Sequence, residues 1–142
     1  MTVSYTKQEA TSRHKITPHV EILERLPWPG YYFEKASYGK NMVKAKLMPD
    51  ENVDETLARR DIGDFLQTGL KEAGIAHLVE KSSVNFARGA VDILDIQLRG
   101  IDGKANHELN YFLIALAKVL EYKSKQLAKE MLEKQQKKEG NG

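Results

Sequence analysis

The stretch NHELNYFLIALAKVLEYKSKQLAKEMLEKQQKK, residues 106–138, decides how the rest of the chain is read. Leu109, Leu113, Leu116, Leu120, Leu127 and Met131 recur at spacings of four, three, four, seven and four, and Lys123 stands at the skipped position. Spacings of three and four put side chains on one face of an α-helix. The first part of the run is apolar on several sides, which predicts burial. The second part keeps one thin apolar stripe among lysines. At 1.5 Å per residue a continuous helix here is about 50 Å long, more than the width of a compact domain of this size. The expectation is a buried half, Leu109–Leu120, and a projecting half, Tyr122–Lys138.

A projecting stripe has to be covered by something. Leu116, Leu120, Leu127 and Met131 are therefore the expected partner-binding residues, with a second copy of the chain as the simplest cover and another protein as the next. The N-terminal segment folding back is the intramolecular alternative. The lysines of this helix are offset by glutamates, and Glu121 with Lys125 and Glu130 with Lys134 stand four apart, a favourable order on a solvated helix. That mixture suits a protein partner better than a phosphate chain.

Upstream the periodicity changes. Tyr31–Ala36 and Met42–Met48 alternate apolar and polar residues, the period of a half-buried strand, and residues 37–41 between them contain Gly39 and Asn41, which accept turn conformations. Thr17-Pro18 reads as a helix start, with Val20, Leu23 and Leu26 on one face, ended by Pro27-Trp28-Pro29-Gly30. Asn52, followed three residues later by Glu55, reads as the cap of a second helix. Val53, Leu57, Ile62, Phe65, Leu66, Leu70 and Ala73 form its apolar side, and Gly74 its C-terminal stop. Val84 and Phe86, then Val91, Ile93, Ile96 and Leu98, suggest a second hairpin, and the change of parity predicts a bulge near Leu94-Asp95. A helix over Val91–Leu98 is the alternative, since Val91, Leu94 and Leu98 fit its period, but the β-branched content favours strand. Asp102-Gly103 is a turn.

These elements sum to an α+β fold: a small antiparallel sheet of two hairpins packed on an amphipathic helix and a long C-terminal helix. The organisation expected is a flexible arm over residues 1–15, a domain over 16–121, and a projecting basic end over 122–142. The chain has 142 residues, the size of one domain.

Composition narrows the function classes. Apolar residues are 41% and charged residues 30%, which describes a globular chain. There is no cysteine, so disulfides, thiolate catalysis and Cys-based zinc sites are excluded. The longest apolar run, Tyr111–Ala117, falls well short of the roughly 20 residues of a membrane helix, and the first 15 residues are polar. A cytoplasmic protein with no membrane contact is expected. Basic ends flank an acidic middle: residues 1–46 hold eight Lys/Arg against four Glu, residues 47–117 seven against twelve acids, and residues 118–142 seven against four. Such asymmetry suits self-association, an acidic partner or nucleic acid, and it also arises from ordinary solvated faces.

No motif reaches the strength of a catalytic or metal-binding signature, so a non-catalytic binding or assembly protein with no cofactor is the leading expectation. His14, His19, His77 and His107 show no ligand spacing and read as surface residues. Asp61 with Asp64, and Asp92 with Asp95, hold divalent metal only if the two pairs converge; a small metal-dependent enzyme rests on that alone. The glycines of Gly69–Gly74 have phosphate-loop spacing but lack the Lys-Ser/Thr that should follow. The alternative with more support is nucleic-acid binding by the hairpin over residues 28–46. There Trp28, Tyr31 and Tyr38 are interleaved with Lys40, Lys44 and Lys46, so that rings stack on bases and lysines meet phosphates. Rings packed inside a sheet core account for the same residues.

Overall fold

In the computed structural model, residues 15–49, 52–103 and 106–140 are described. The arm expected over 1–15 lies outside them except for Lys15, and so does the end of the tail. The class is the one expected, α+β. Helix α1 covers residues 15–25. Strands β1 (Phe33–Gly39) and β2 (Met42–Leu47) form the first hairpin, followed by helix α2 (Glu55–Glu72). After a 3-10 turn come β3 (Val79–Ala87) and β4 (Ile93–Gly100), the second hairpin, and then helix α3 (His107–Gly140). The sheet is antiparallel throughout, in the order β1-β2-β4-β3.

Strand alternation sends Phe33, Val43, Ala45, Leu47, Phe86, Leu94, Ile96 and Leu98 to one face, where they are buried. Leu109, Phe112, Leu113, Leu116 and Leu120 of α3 and Ile62, Leu66 and Leu70 of α2 cover that face. The predicted bulge near Leu94-Asp95 is absent. Register runs unbroken through both residues, and Ile93 simply points to the opposite face from Leu94. The bulges lie instead between Phe33 and Lys35 and between Val79 and Lys81.

Helix ends follow local chemistry. The cap of α2 is Asp54 and not Asn52: its carboxylate accepts the Leu57 N–H at 3.0 Å. With that phase Leu57 turns outward, 44% exposed, and Ala58 takes the buried position. The C-terminus closes as the glycine predicts. Gly74 sits at φ +72°, its N–H donates to the Lys71 carbonyl, and the Ile75 N–H donates to Leu70. Asn106 caps α3, its side-chain oxygen accepting from the Glu108 and Leu109 N–H groups. In the first hairpin, Lys40-Asn41 alone make the turn, Asn41 at φ +60°. The Asn41 N–H donates to Asn110 of α3, and its carbonyl accepts from Leu98 of β4. The turn is thereby tied to two other elements.

Helix α1 presents Ile16, His19 and Leu23 inward where α2 and α3 meet. The meeting point is Gly69. A Cβ there would stand 2.8 Å from Leu23 Cδ2 and 3.1 Å from Phe112 Cζ, and both of those side chains are fully buried. Gly63, six residues earlier, faces open space. The two glycines carry the same helix-propensity cost, about 1 kcal/mol against Ala, but only one has a packing reason. Gly63→Ala is expected to raise stability by up to about 1 kcal/mol. Gly69→Ala is expected to lower it by about 1–2 kcal/mol, as overpacking outweighs the propensity gain. Denaturant unfolding of the two variants checks the opposite signs.

Candidate functional site

The far half of α3 leaves the core gradually. Leu116 and Leu120, expected on the partner-binding stripe, are 1% and 0% exposed and belong to the core, because β1 and β2 cover them. The helix also stays attached beyond Glu121. Ser124 is buried and its hydroxyl accepts the Phe33 N–H at 2.9 Å. Lys123, at the skipped position of the stripe, donates to the Glu24 carbonyl in the last turn of α1. Leu127 is half-buried, and Met131 is 57% exposed. Next to Met131, Leu132 is 58% exposed. Leu132 lies off the stripe and was not singled out by spacing. It borders a recess of about 390 Å³ between α3 and the start of β1, whose walls include Phe33, Met48 and Ala128. The Tyr32 hydroxyl reaches the Met131 sulfur at 3.1 Å. The apolar surface that the fold leaves at least partly uncovered here is Leu127, Ala128, Met131 and Leu132.

The six residues expected to bind nucleic acid are not brought together. The Trp28 ring packs edge-on against Phe33 and Phe65, with centroids 6.3 and 5.9 Å away, under the sheet. The Tyr31 hydroxyl donates to Asp61 at 2.9 Å, and burial first, then that hydrogen bond, push its pKa up to about 12. Tyr38 sits at the sheet's end on the helix-covered side, and burial raises its pKa. Lys44 and Lys46 point to the opposite, uncovered face, Lys46 paired with Glu34 at 3.2 Å. Lys40 is in the turn beside that face.

Register shows what the uncovered face contains. Gln97 lies between Met42 and Ser83, Asp95 between Lys44 and Asn85, and Arg99 beside Lys81. Lys40, Lys81, Arg99, Ser83, Asn85 and Gln97 line a shallow concavity of about 480 Å³. Lys81 and Arg99 were missed because they fall in the chain's acidic middle; only strand pairing puts them next to Lys40. No aromatic ring lies on this face among the described strand residues.

The two aspartate pairs stay apart. Asp61 and Asp64 lie along α2 beside Trp28, whereas Asp95 projects from the uncovered face of β4. No cluster of three or more metal-binding side chains forms among the described residues. No helix among them is long and apolar enough to cross a membrane. His14 lies outside the described residues. Of the other histidines, His19 departs from the surface reading: it is 7% exposed on the inner face of α1, edge-on to Phe112 at 5.9 Å. Its Nε2 is 3.9 Å from Glu108, and its Nδ1 is buried without a hydrogen-bond partner. Helical spacing from Ile16 and Leu23 was the signal that could have found it.

No family model matches the chain, and neither a curated protein nor a solved structure matches it.

Burial lowers the His19 pKa from 6.5, with Glu108 acting more weakly in the opposite sense. The unfolded chain thus takes up the proton first as pH falls. The contribution of His19 to stability is full above 6.5 and declines below it, until the folded imidazole also protonates. Replacing His19 with Leu is expected to flatten the loss of thermal stability between about pH 7.5 and about pH 5.5. An unchanged pH slope in that variant would refute the assignment.

Proposed function

We propose that this chain is a non-catalytic binding or assembly protein of the cytoplasm, which docks a protein partner or a second copy through the far half of α3. The observation that carries the reading is the pair Met131 and Leu132. Two large apolar side chains, each more than half exposed, stand together on a helix that continues past the sheet. Single exposed apolar residues need no explanation, but a grouped set beside an apolar recess marks an interaction surface. Lys125, Lys129, Glu130 and Glu133 around it supply the polar rim usual for such a surface.

Met131→Lys combined with Leu132→Glu removes this surface. Because both residues are exposed, stability should change by no more than about 0.5 kcal/mol. The full chain is expected to show self-association in sedimentation, or a partner captured from extract, that the double variant loses. Identical behaviour of the two chains would sink the reading.

A second reading, nucleic-acid binding, keeps one favourable observation: the cluster of Lys40, Lys81 and Arg99 on the uncovered sheet face. Without rings on that face, contact would be to phosphates and insensitive to base sequence. Lys81→Glu with Arg99→Glu should then weaken binding of a labelled single strand, and lower its salt dependence by about one to two ions. Absence of salt-sensitive binding by the unaltered chain counts against it.

A further inference from the structure

The two edges of the sheet are treated unequally. At the β1 edge, α3 supplies acceptors for outward backbone donors. The Phe33 N–H goes to Ser124, and the Glu121 carboxylate, whose pKa is lowered by the Lys125 hydrogen bond at 2.8 Å and, more weakly, by the Ala36 N–H, lies beside the strand. At the other edge β3 has β4 on one side, and no backbone or side-chain group of another element bonds its outward N–H and C=O groups among the described residues. Exposed edges are normally blunted by charge, proline or a bulge. Here those devices are confined to the start of the strand, where the bulge falls between Val79 and Lys81 and the charges are Glu80 and Lys81. Ser82–Ala87, SSVNFA, has no charge, no proline and unbroken register. Ser82, Asn85 and Ala87 are exposed, and Val84, an apolar residue on the helix side, is half-exposed.

We infer that β3 pairs antiparallel with β3 of a second copy across a two-fold axis at Val84, joining two four-stranded sheets into one of eight. The sequence of the edge selects this occupant. Centring on Val84 places Val84 against its own copy, Ser83 opposite Asn85, Ser82 opposite Phe86 and Lys81 opposite Ala87. No like charges face each other, and the half-exposed valine becomes covered. Because the register is centred on a residue, helix-side residues meet helix-side residues and polar ones meet polar ones; a slip of one residue would reverse this. The helices of both copies then lie on one side, and the two polar faces with Lys81 and Arg99 run together on the other. This goes beyond the assembly reading and does not rest on it: the second copy takes the β3 edge, a surface separate from the far half of α3, which is then left for a different protein.

The test uses charge on the polar face, where Ser83 and Asn85 can change without touching the core. Sedimentation of the full chain should show a dimer. Ser83→Lys with Asn85→Lys sets like charges opposite across the axis, as does Ser83→Glu with Asn85→Glu. Each should weaken dimerisation at least about tenfold. An equimolar mixture of the two variants should restore the dimer, which excludes misfolding as the cause of its loss. Met131→Lys with Leu132→Glu should leave it intact. A monomeric full chain, a dimer that survives both charged variants, or a mixture that stays monomeric would each overturn the inference. A dimer lost only in the α3 variant would overturn it and leave the proposed function standing.

Discussion

The hydrogen bond from the Phe33 N–H to the Ser124 hydroxyl fixes how α3 lies on the sheet. It joins two buried residues 91 positions apart, in a place where an unmet backbone donor would cost about 1–3 kcal/mol. With that contact made, the lipophilic positions of α3 from Leu109 to Leu120 fall over β1 and β2, and Glu121 lies beside β1. One helix thus covers a face and closes an edge. The far side of the sheet and the β3 edge receive no such cover, and the surfaces left exposed follow from that asymmetry.

The same seating separates chemistry that is adjacent in the chain. Residues 28–46 interleave rings and lysines, yet strand alternation and the Trp28 contact with Phe65 send rings beneath the sheet and lysines above it. A base-stacking platform needs both on one surface. Residues distant in sequence meet instead: Lys40 from the first turn, Lys81 from β3 and Arg99 from β4. The acidic label of the chain's middle is an average over faces, and on the open sheet face it does not hold.

Much of the fold was legible in the sequence because local rules decided it. The α3 period, the alternation of Met42–Leu47 and the Gly74 stop each depend on neighbours within a few residues. Errors came where two local signals competed. Asn52 and Asp54 both suit a cap, and Asp54 wins because its carboxylate reaches the Leu57 N–H. The parity change at Ile93 resembled a bulge, but a single apolar residue on the open face explains it. The lack of ligand spacing suggests a surface position for His19, but its spacing from Ile16 and Leu23 puts it on the buried face of α1.

The candidate surface was legible only in part. Periodicity identified Leu116, Leu120, Leu127 and Met131 as one stripe, which holds because α-helical geometry is set by the backbone alone. It could not tell which of them another element covers. That depends on where β1 ends, on Ser124 meeting Phe33 and on Lys123 turning to α1. Residue order alone sets the kinds of element, their amphipathic faces and the absence of cysteine chemistry. The tertiary structure decided which faces stay open and which sheet edge is capped. Burial is a property of two surfaces in contact, and a one-dimensional pattern describes only one of them.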